Sequence, residues 1–106
     1  MQRKLAHYLR SERRLNALTQ ADIAALLGAP WKQRVGWYER GKLPPIETAL
    51  AYEAIFGKPV SELLGGAYDE IAIAVRRRAQ NLLARDNAGE TPRRVRRKRS
   101  LARIAA

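Results

Sequence analysis

The spacing of apolar residues along the chain predicts helices as far as about residue 85. Apolar side chains recur at helical intervals, whereas no stretch alternates between apolar and polar residues with a period of two. The predicted helices cover approximately residues 3–16, 19–27, 31–40, 44–56, 60–64 and 68–85. We therefore expect an all-α fold.

Residues typical of helix ends support these boundaries. Thr19 is expected to cap the second helix, because Asp22 follows three residues later in a weaker form of the capping box. Pro44 and Pro45 open the fourth helix, since proline is tolerated in a first helical turn. Glycines mark the expected ends of helices, at Gly28, Gly41, Gly57 and Gly65.

Charge divides the chain into parts. Residues 1–66, the expected main domain, carry 10 basic and 6 acidic side chains, whereas residues 67–106 carry 11 basic and 4 acidic ones. The net charges are therefore +4 and +7. Residues 67–86 are expected to form a C-terminal helix for packing or dimerisation. Residues 87–106 are expected to form a basic, flexible tail, because six cations within residues 93–99 repel one another.

The composition excludes several functional classes. A formal net charge of +11 points to nucleic acids or anionic membranes as partners. No apolar run approaches the ~18 residues of a membrane span, and no signal peptide is predicted. With no cysteine and one histidine, His7, the chain is expected to hold no disulfide and no metal. Its scattered acids form no catalytic set, so we expect neither a cofactor nor an enzyme.

Two short helices, residues 19–27 and 31–40, are separated by a turn that contains glycine, which is the pattern of a helix-turn-helix. The second helix of such a unit enters the major groove of DNA, where its early residues meet base edges. Here those residues are Lys32, Gln33 and Arg34. Glutamine pairs with adenine, and arginine or lysine with guanine. Gln20 lies at the start of the preceding helix, where a phosphate would be attracted.

Three segments of the sequence resemble the Cro/repressor-like (Xre-type) helix-turn-helix family. They are residues 18–24 (LTQADIA), the pair Leu27-Gly28, and residues 38–42 (YERGK). Residues 45–50 and 56–64 resemble that family's fourth and fifth helices. The resemblance covers about residues 5–64. It implies a five-helix DNA-binding domain that often dimerises on a two-fold symmetric operator.

The resemblance also implies roles for individual residues. It makes Gln20 a phosphate-contacting residue and gives Lys42 a loop position near phosphate. It implies that Arg13 and Glu39 form a buried ion pair between the first helix and the end of the third. The complete candidate DNA-binding set is Gln20, Trp31, Lys32, Gln33, Arg34, Trp37, Arg40 and Lys42. The chain departs from the family's pattern in a turn that is one residue longer and contains Pro30.

Alternative interpretations stay open at several places. Residues 32–34 are also compatible with a solvated helix face, Trp37 with the core, and Trp31 with packing on the second helix. The apolar stripe of the C-terminal helix either packs on its own domain or forms a dimer contact; it consists of Tyr68, Ile71, Val75, Ala79 and Leu82. The Arg-rich tail is a DNA clamp, a non-specific tether or a solvated terminus.

The leading functional hypothesis is a sequence-specific DNA-binding transcriptional regulator. We expect a homodimeric repressor in the cytoplasm, associated with the nucleoid, that reads double-stranded DNA with residues 31–40. One alternative is an antitoxin-type repressor of its own operon that has a protein partner. Another is a basic protein that binds DNA or RNA without sequence preference.

Overall fold

The fold is built from helices in the part of the chain that the computed structural model describes, residues 7–28, 32–86 and 89–106. Those residues contain no strand, which confirms the all-α prediction. In chain order the helices are α1 (Leu9–Leu15), α2 (Gln20–Leu27), α3 (Lys32–Glu39), α4 (Ile46–Phe56), α5 (Val60–Leu63), α6 (Gly65–Ala84) and α7 (Pro92–Ala105). None of them has the length and apolar character of a membrane span. The described residues form two compact units that divide between Tyr68 and Asp69.

The ends of α2 and α4 follow from local hydrogen bonds and backbone geometry. The Thr19 hydroxyl accepts a hydrogen bond from the Asp22 amide at 3.0 Å, and the Asp22 carboxylate accepts one from the Thr19 amide at 2.9 Å. This reciprocal pair is the capping box that the sequence predicts. Gly28 and Gly57 end the two helices with φ of 74° and 70°, a left-handed conformation that strains residues with a Cβ.

The core of the first unit is centred on Tyr52. The Tyr52 ring meets Tyr38 edge to face, with centroids 6.3 Å apart, and stacks on Phe56 at 6.0 Å. Its hydroxyl has no hydrogen-bond partner within the described residues, and burial raises its pKa above the ordinary value. The fully or largely buried cluster comprises Leu9, Ile23, Ala24, Val35, Tyr38, Ala49, Tyr52, Leu63 and Leu64.

Helix α3 is held by its neighbours in this unit. It packs against α1 and α2, both of which also contact α4, and α4 in turn contacts α5. Side chains on its inner surface enter the core at Val35 and Tyr38. Since burying such side chains stabilises each by roughly 1.5–3 kcal/mol, these two positions fix which surface of α3 faces solvent.

A polar contact also ties α1 to the segment before α5. The Lys58 ammonium donates a hydrogen bond to the nearly buried Glu12 carboxylate at 2.6 Å. This bond raises the pKa of Lys58. The Tyr8 amide donates to the Leu63 carbonyl at 2.9 Å, so α1 and α5 are joined by backbone as well.

The start of α6 differs from the sequence prediction. The sequence predicts a break between two helices at Gly65, but Gly65 is the first residue of α6, directly after Leu64 ends α5. The Tyr68 amide donates to the Leu64 carbonyl at 2.9 Å and closes the first turn. Glycine costs a helix only about 1 kcal/mol relative to alanine, so a following strong helix can extend back over it.

The sequence pattern predicts no helix in the basic C-terminal segment, but the structure contains one there. Residues Pro92–Ala105 form α7, whose first turn is capped by the Thr91 hydroxyl through the Arg94 amide. Pro92 occupies a first-turn position, where its missing amide hydrogen costs nothing. Within the second unit Arg97 lies 3.6 Å from Asp86, and the Gln80 amide donates to the Ala105 carbonyl at 3.2 Å. These contacts join α7 to α6 and its end.

Candidate nucleic-acid interface

The first turn of α3 presents three consecutive polar side chains to solvent. Lys32, Gln33 and Arg34 are all exposed, whereas the next two residues, Val35 and Gly36, are buried. One side of α3 is therefore anchored in the core, while its N-terminal turn presents polar side chains to solvent. Trp31, the residue predicted just before this turn, lies outside the described residues.

Trp37 lies at the surface and not in the core. Its side chain is 43% exposed, and the Lys42 ammonium lies over the ring, 5.4 Å from the centroid. The Lys42 amide also donates a hydrogen bond to the Trp37 carbonyl at 3.0 Å. The cation–π contact contributes about 0.5–1 kcal/mol at an exposed site. It holds a positive charge against an aromatic surface after the end of α3.

Arg40 lies in one surface cluster with the indole of Trp37 and the ammonium of Lys42. The three side chains line one open pocket at the C-terminal end of α3. The Arg40 guanidinium lies over Gly36, so close that a Cβ added at Gly36 would stand 3.1 Å from its Nη1 atom. The absence of a side chain at position 36 thus lets Arg40 fold back along α3.

Arg13 and Glu39 form the buried ion pair that the family resemblance implies. Arg13 Nε donates to Glu39 Oε2 at 2.6 Å, and Nη2 donates to Oε1 at 3.1 Å. The Glu39 side chain is 1% exposed and the Arg13 side chain 12%. A third guanidinium nitrogen, Arg13 Nη1, donates to the Leu18 carbonyl at 3.1 Å. Two parallel bonds between a guanidinium and a carboxylate fix orientation as well as distance.

The same carboxylate also holds the start of α2. Gln20 Nε2 donates to Glu39 Oε1 at 3.2 Å, and the exposed Arg10 lies 3.6 Å from that oxygen. Burial alone would raise the pKa of Glu39, but the hydrogen bonds from Arg13 and Gln20 and the two positive charges outweigh it and lower that pKa. Glu39 is therefore ionised at neutral pH and joins α1, α2 and α3 at one point.

No protein-family model, curated protein or solved structure matches this chain. In the ranges that the structure describes, no group of three or more histidine, aspartate or glutamate side chains is placed to hold a metal ion. The side chains available for binding at this site are instead exposed cations, an amide and an indole.

Two contacts at the site are not predicted by the sequence. The bond between Gln20 and Glu39 engages one donor of an amide that was assigned to phosphate, so Gln20 has a structural contact in addition to any ligand. The Lys42–Trp37 contact joins two residues that were predicted separately. Neither contact has a signal in the sequence, because each joins residues across a turn or between helices.

Proposed function

We propose that this chain is a sequence-specific DNA-binding protein that regulates transcription as a homodimer and reads the major groove with α3. The observation that carries this proposal is the first turn of α3, where Lys32, Gln33 and Arg34 are exposed on a helix anchored through its other side. Glutamine, arginine and lysine are the side chains that make bidentate or charged contacts with adenine and guanine edges.

The buried ion pair supports this assignment. A reading helix must be held in a fixed orientation, because small displacements remove directional hydrogen bonds to bases. Glu39 supplies such a restraint through Arg13 of α1 and Gln20 of α2. The order of α2 and α3, together with the resemblance of residues 18–24 and 38–42 to Cro/repressor-like domains, fits the same function.

The cluster at the other end of α3 supplies candidate phosphate contacts. Lys42 and Arg40 are exposed cations, and Trp37 beneath Lys42 limits the directions in which its ammonium can point. Contacts to phosphate position a protein on the duplex, whereas contacts to bases specify the sequence. In this proposal, Arg40 and Lys42 position α3 and the first-turn residues read the bases.

The proposed partner for dimerisation is a second copy, through α6. Tyr68, Ile71, Val75 and Leu82 lie along one stripe of this helix and remain 37–57% exposed, and of the predicted stripe only Ala79 is buried. Tyr68 and Leu82 lie seven residues before and after Val75. An antiparallel pair with its two-fold axis at Val75 would therefore place Tyr68 of one copy opposite Leu82 of the other, a self-complementary contact.

Light scattering tests the dimer with a matched pair of variants. Val75→Glu should shift the chain from dimer to monomer, because it places charge at the proposed axis. Ile73→Glu adds the same charge to a 50% exposed residue on the opposite side of α6 and should leave the dimer intact. A wild-type chain that stays monomeric at all concentrations would contradict this part of the proposal.

Selection of bound duplexes from a random pool tests sequence-specific binding. We expect an enriched site with a two-fold repeat. On that site Gln33→Ala or Arg34→Ala should weaken binding by about 1–3 kcal/mol, with a smaller effect on a scrambled duplex. Arg14→Ala, which removes a charge from an exposed position in α1, is the matched control for Arg34→Ala. Equal weakening on all sequences would refute base reading by α3.

A second candidate function is non-specific binding of nucleic acid, which the cationic residues of α7 favour. Seven of its fourteen residues are arginine or lysine. Binding of this kind depends on salt but not on base sequence. Failure of the random pool to yield an enriched site, together with strongly salt-dependent affinity, would select this function over the first.

A further inference from the structure

Helix α7 carries more positive charge than its packing within the second unit requires. It holds seven cations and no acidic residue within Pro92–Ala105. Such a helix repels itself unless the charges face solvent or meet an anionic partner. The functional assignment of α3 leaves these cations unexplained.

One side of α7 is occupied within its own unit. Arg97 lies 3.6 Å from Asp86, and the Ala105 carbonyl accepts a hydrogen bond from Gln80. The large apolar residues Leu101 and Ile104 are half-buried. At about 100° per residue, these four positions of α7 fall within roughly 100° of one another around the helix: Arg97, Leu101, Ile104 and Ala105. This side therefore faces the protein.

Three arginines lie on the opposite side. Arg96, Arg99 and Arg103 are spaced three and four residues apart, and all three are exposed. Each is at least about 100° around the helix from both Arg97 and Ala105. None of the three forms an ion pair with any residue that the structure describes. We refer to these three residues as the outer arginine row.

We propose that the outer arginine row binds the phosphate backbone of duplex DNA without regard to base sequence. Guanidinium groups recognise phosphate oxygens through paired N–H donors as well as through charge. The row runs about 10 Å along the helix at 1.5 Å per residue. One strand of duplex DNA carries a phosphate about every 3.4 Å along the helix axis, so a row of this length lies within reach of several phosphates of one strand.

A membrane surface fits this helix less well than DNA does. A helix that lies in a bilayer interface buries an apolar face between the headgroups. In α7 the large apolar residues Leu101 and Ile104 are already half-buried, and Val95 is only 37% exposed. The surface that is left over is cationic and polar, which matches phosphate and not acyl chains.

Local sequence signals also favour the helical state of α7. The Thr91 cap and Pro92 in the first turn define where the helix begins. A segment that must fold on binding loses conformational entropy in that step. Local capping lowers this cost and so favours binding through the outer arginine row.

A salt titration on a DNA duplex of mixed sequence tests the proposal, independently of whether α3 reads bases. The triple variant Arg96→Gln, Arg99→Gln and Arg103→Gln should lower the slope of log K against log salt by up to about 2.7, at 0.9 per phosphate contact. The control Arg85→Gln, Arg94→Gln and Lys98→Gln removes three charges from the same unit but outside the row, and should lower the slope much less.

Further arms separate the alternatives. Replacing the row by three lysines should retain most of the slope, because the charges remain, and circular dichroism should show unchanged helix content in all variants. Equal slopes for the two glutamine triples would overturn the proposal. So would tighter binding to anionic lipid vesicles, or to an RNA duplex of the same sequence, than to DNA. Failure of the random pool to yield an enriched site would instead refute only the proposal that α3 reads bases.

Discussion

The substitution Glu39→Ala tests how α3 is held. It removes the carboxylate that accepts two bonds from Arg13 and one from Gln20. The Arg13 side chain, 12% exposed, would keep only its bond to the Leu18 carbonyl. A buried charge left without its partner costs about 3–5 kcal/mol, much more than the pair itself contributes.

This cost is large for a small domain. A domain of this size has a total unfolding free energy of roughly 5–15 kcal/mol. Each kcal/mol changes Tm by about 4–8 °C for a domain of 60–100 residues. At the lower end, about 3 kcal/mol, Glu39→Ala should lower Tm by at least about 12 °C. Circular dichroism at 222 nm with heating, a standard measure of helix loss, would follow the change.

Two further variants show whether the stranded charge is the cause. Arg13→Met combined with Glu39→Leu removes both charges and should recover much of the lost stability, because no buried charge remains unpaired. Arg10→Met removes a 53% exposed charge near the same carboxylate and should change stability by less than about 1 kcal/mol. If Glu39→Ala lowers Tm no more than Arg10→Met, the ion pair does not hold α3.

Two other predictions concern the first unit. Its partners hold the pKa of Glu39 below the ordinary value of 4.5, so the stability from this carboxylate is complete above about pH 4.5 and is lost as the pH falls further. In acid titrations followed by urea unfolding, Glu39→Gln should therefore show a shallower loss of stability below that pH; an identical loss would contradict this origin. Thr19→Ala should lower the unfolding free energy by about 1 kcal/mol through loss of the capping box, whereas Ser11→Ala at an exposed position within α1 should not. Equal effects of these two alanines would argue against the cap.

Local signals in the sequence predict most helix boundaries. Thr19 with Asp22 marks the start of α2, and Gly28 and Gly57 mark ends because left-handed geometry favours glycine at those positions. Such signals act within a few residues, so sequence alone is enough. The side of α3 that is buried follows in the same way from the apolar residues Val35 and Tyr38.

The differences arise where two local rules compete. At Gly65 the low helix propensity of glycine suggests a break, but the helix that follows extends over it. At residues 91–106 the charge repulsion suggests disorder, whereas Thr91 as cap and Pro92 in the first turn favour a helix. Proline breaks a helix in its interior but is tolerated in its first turn, so Pro92 after Thr91 is compatible with a helix start.

Contacts between distant residues lie beyond such rules. Glu12 and Lys58 are 46 positions apart, and Gln20 and Glu39 are 19 apart. Their pairing depends on how the helices pack, which local propensities do not determine. The Arg13–Glu39 pair was expected only through a resemblance to a family, and no residue pattern within this chain requires it.

The two ends of α3 differ in how freely they can change. Glu39 at one end contacts three other residues, so we expect single replacements there to destabilise the domain. Lys32 and Gln33 at the other end are exposed, and substitutions at such positions usually alter stability by less than about 0.5 kcal/mol. Under the proposed function, a lineage could therefore acquire a new operator preference by mutation in the first turn of α3 while the domain stays folded. Stability and specificity would then evolve as separate traits within one eight-residue helix.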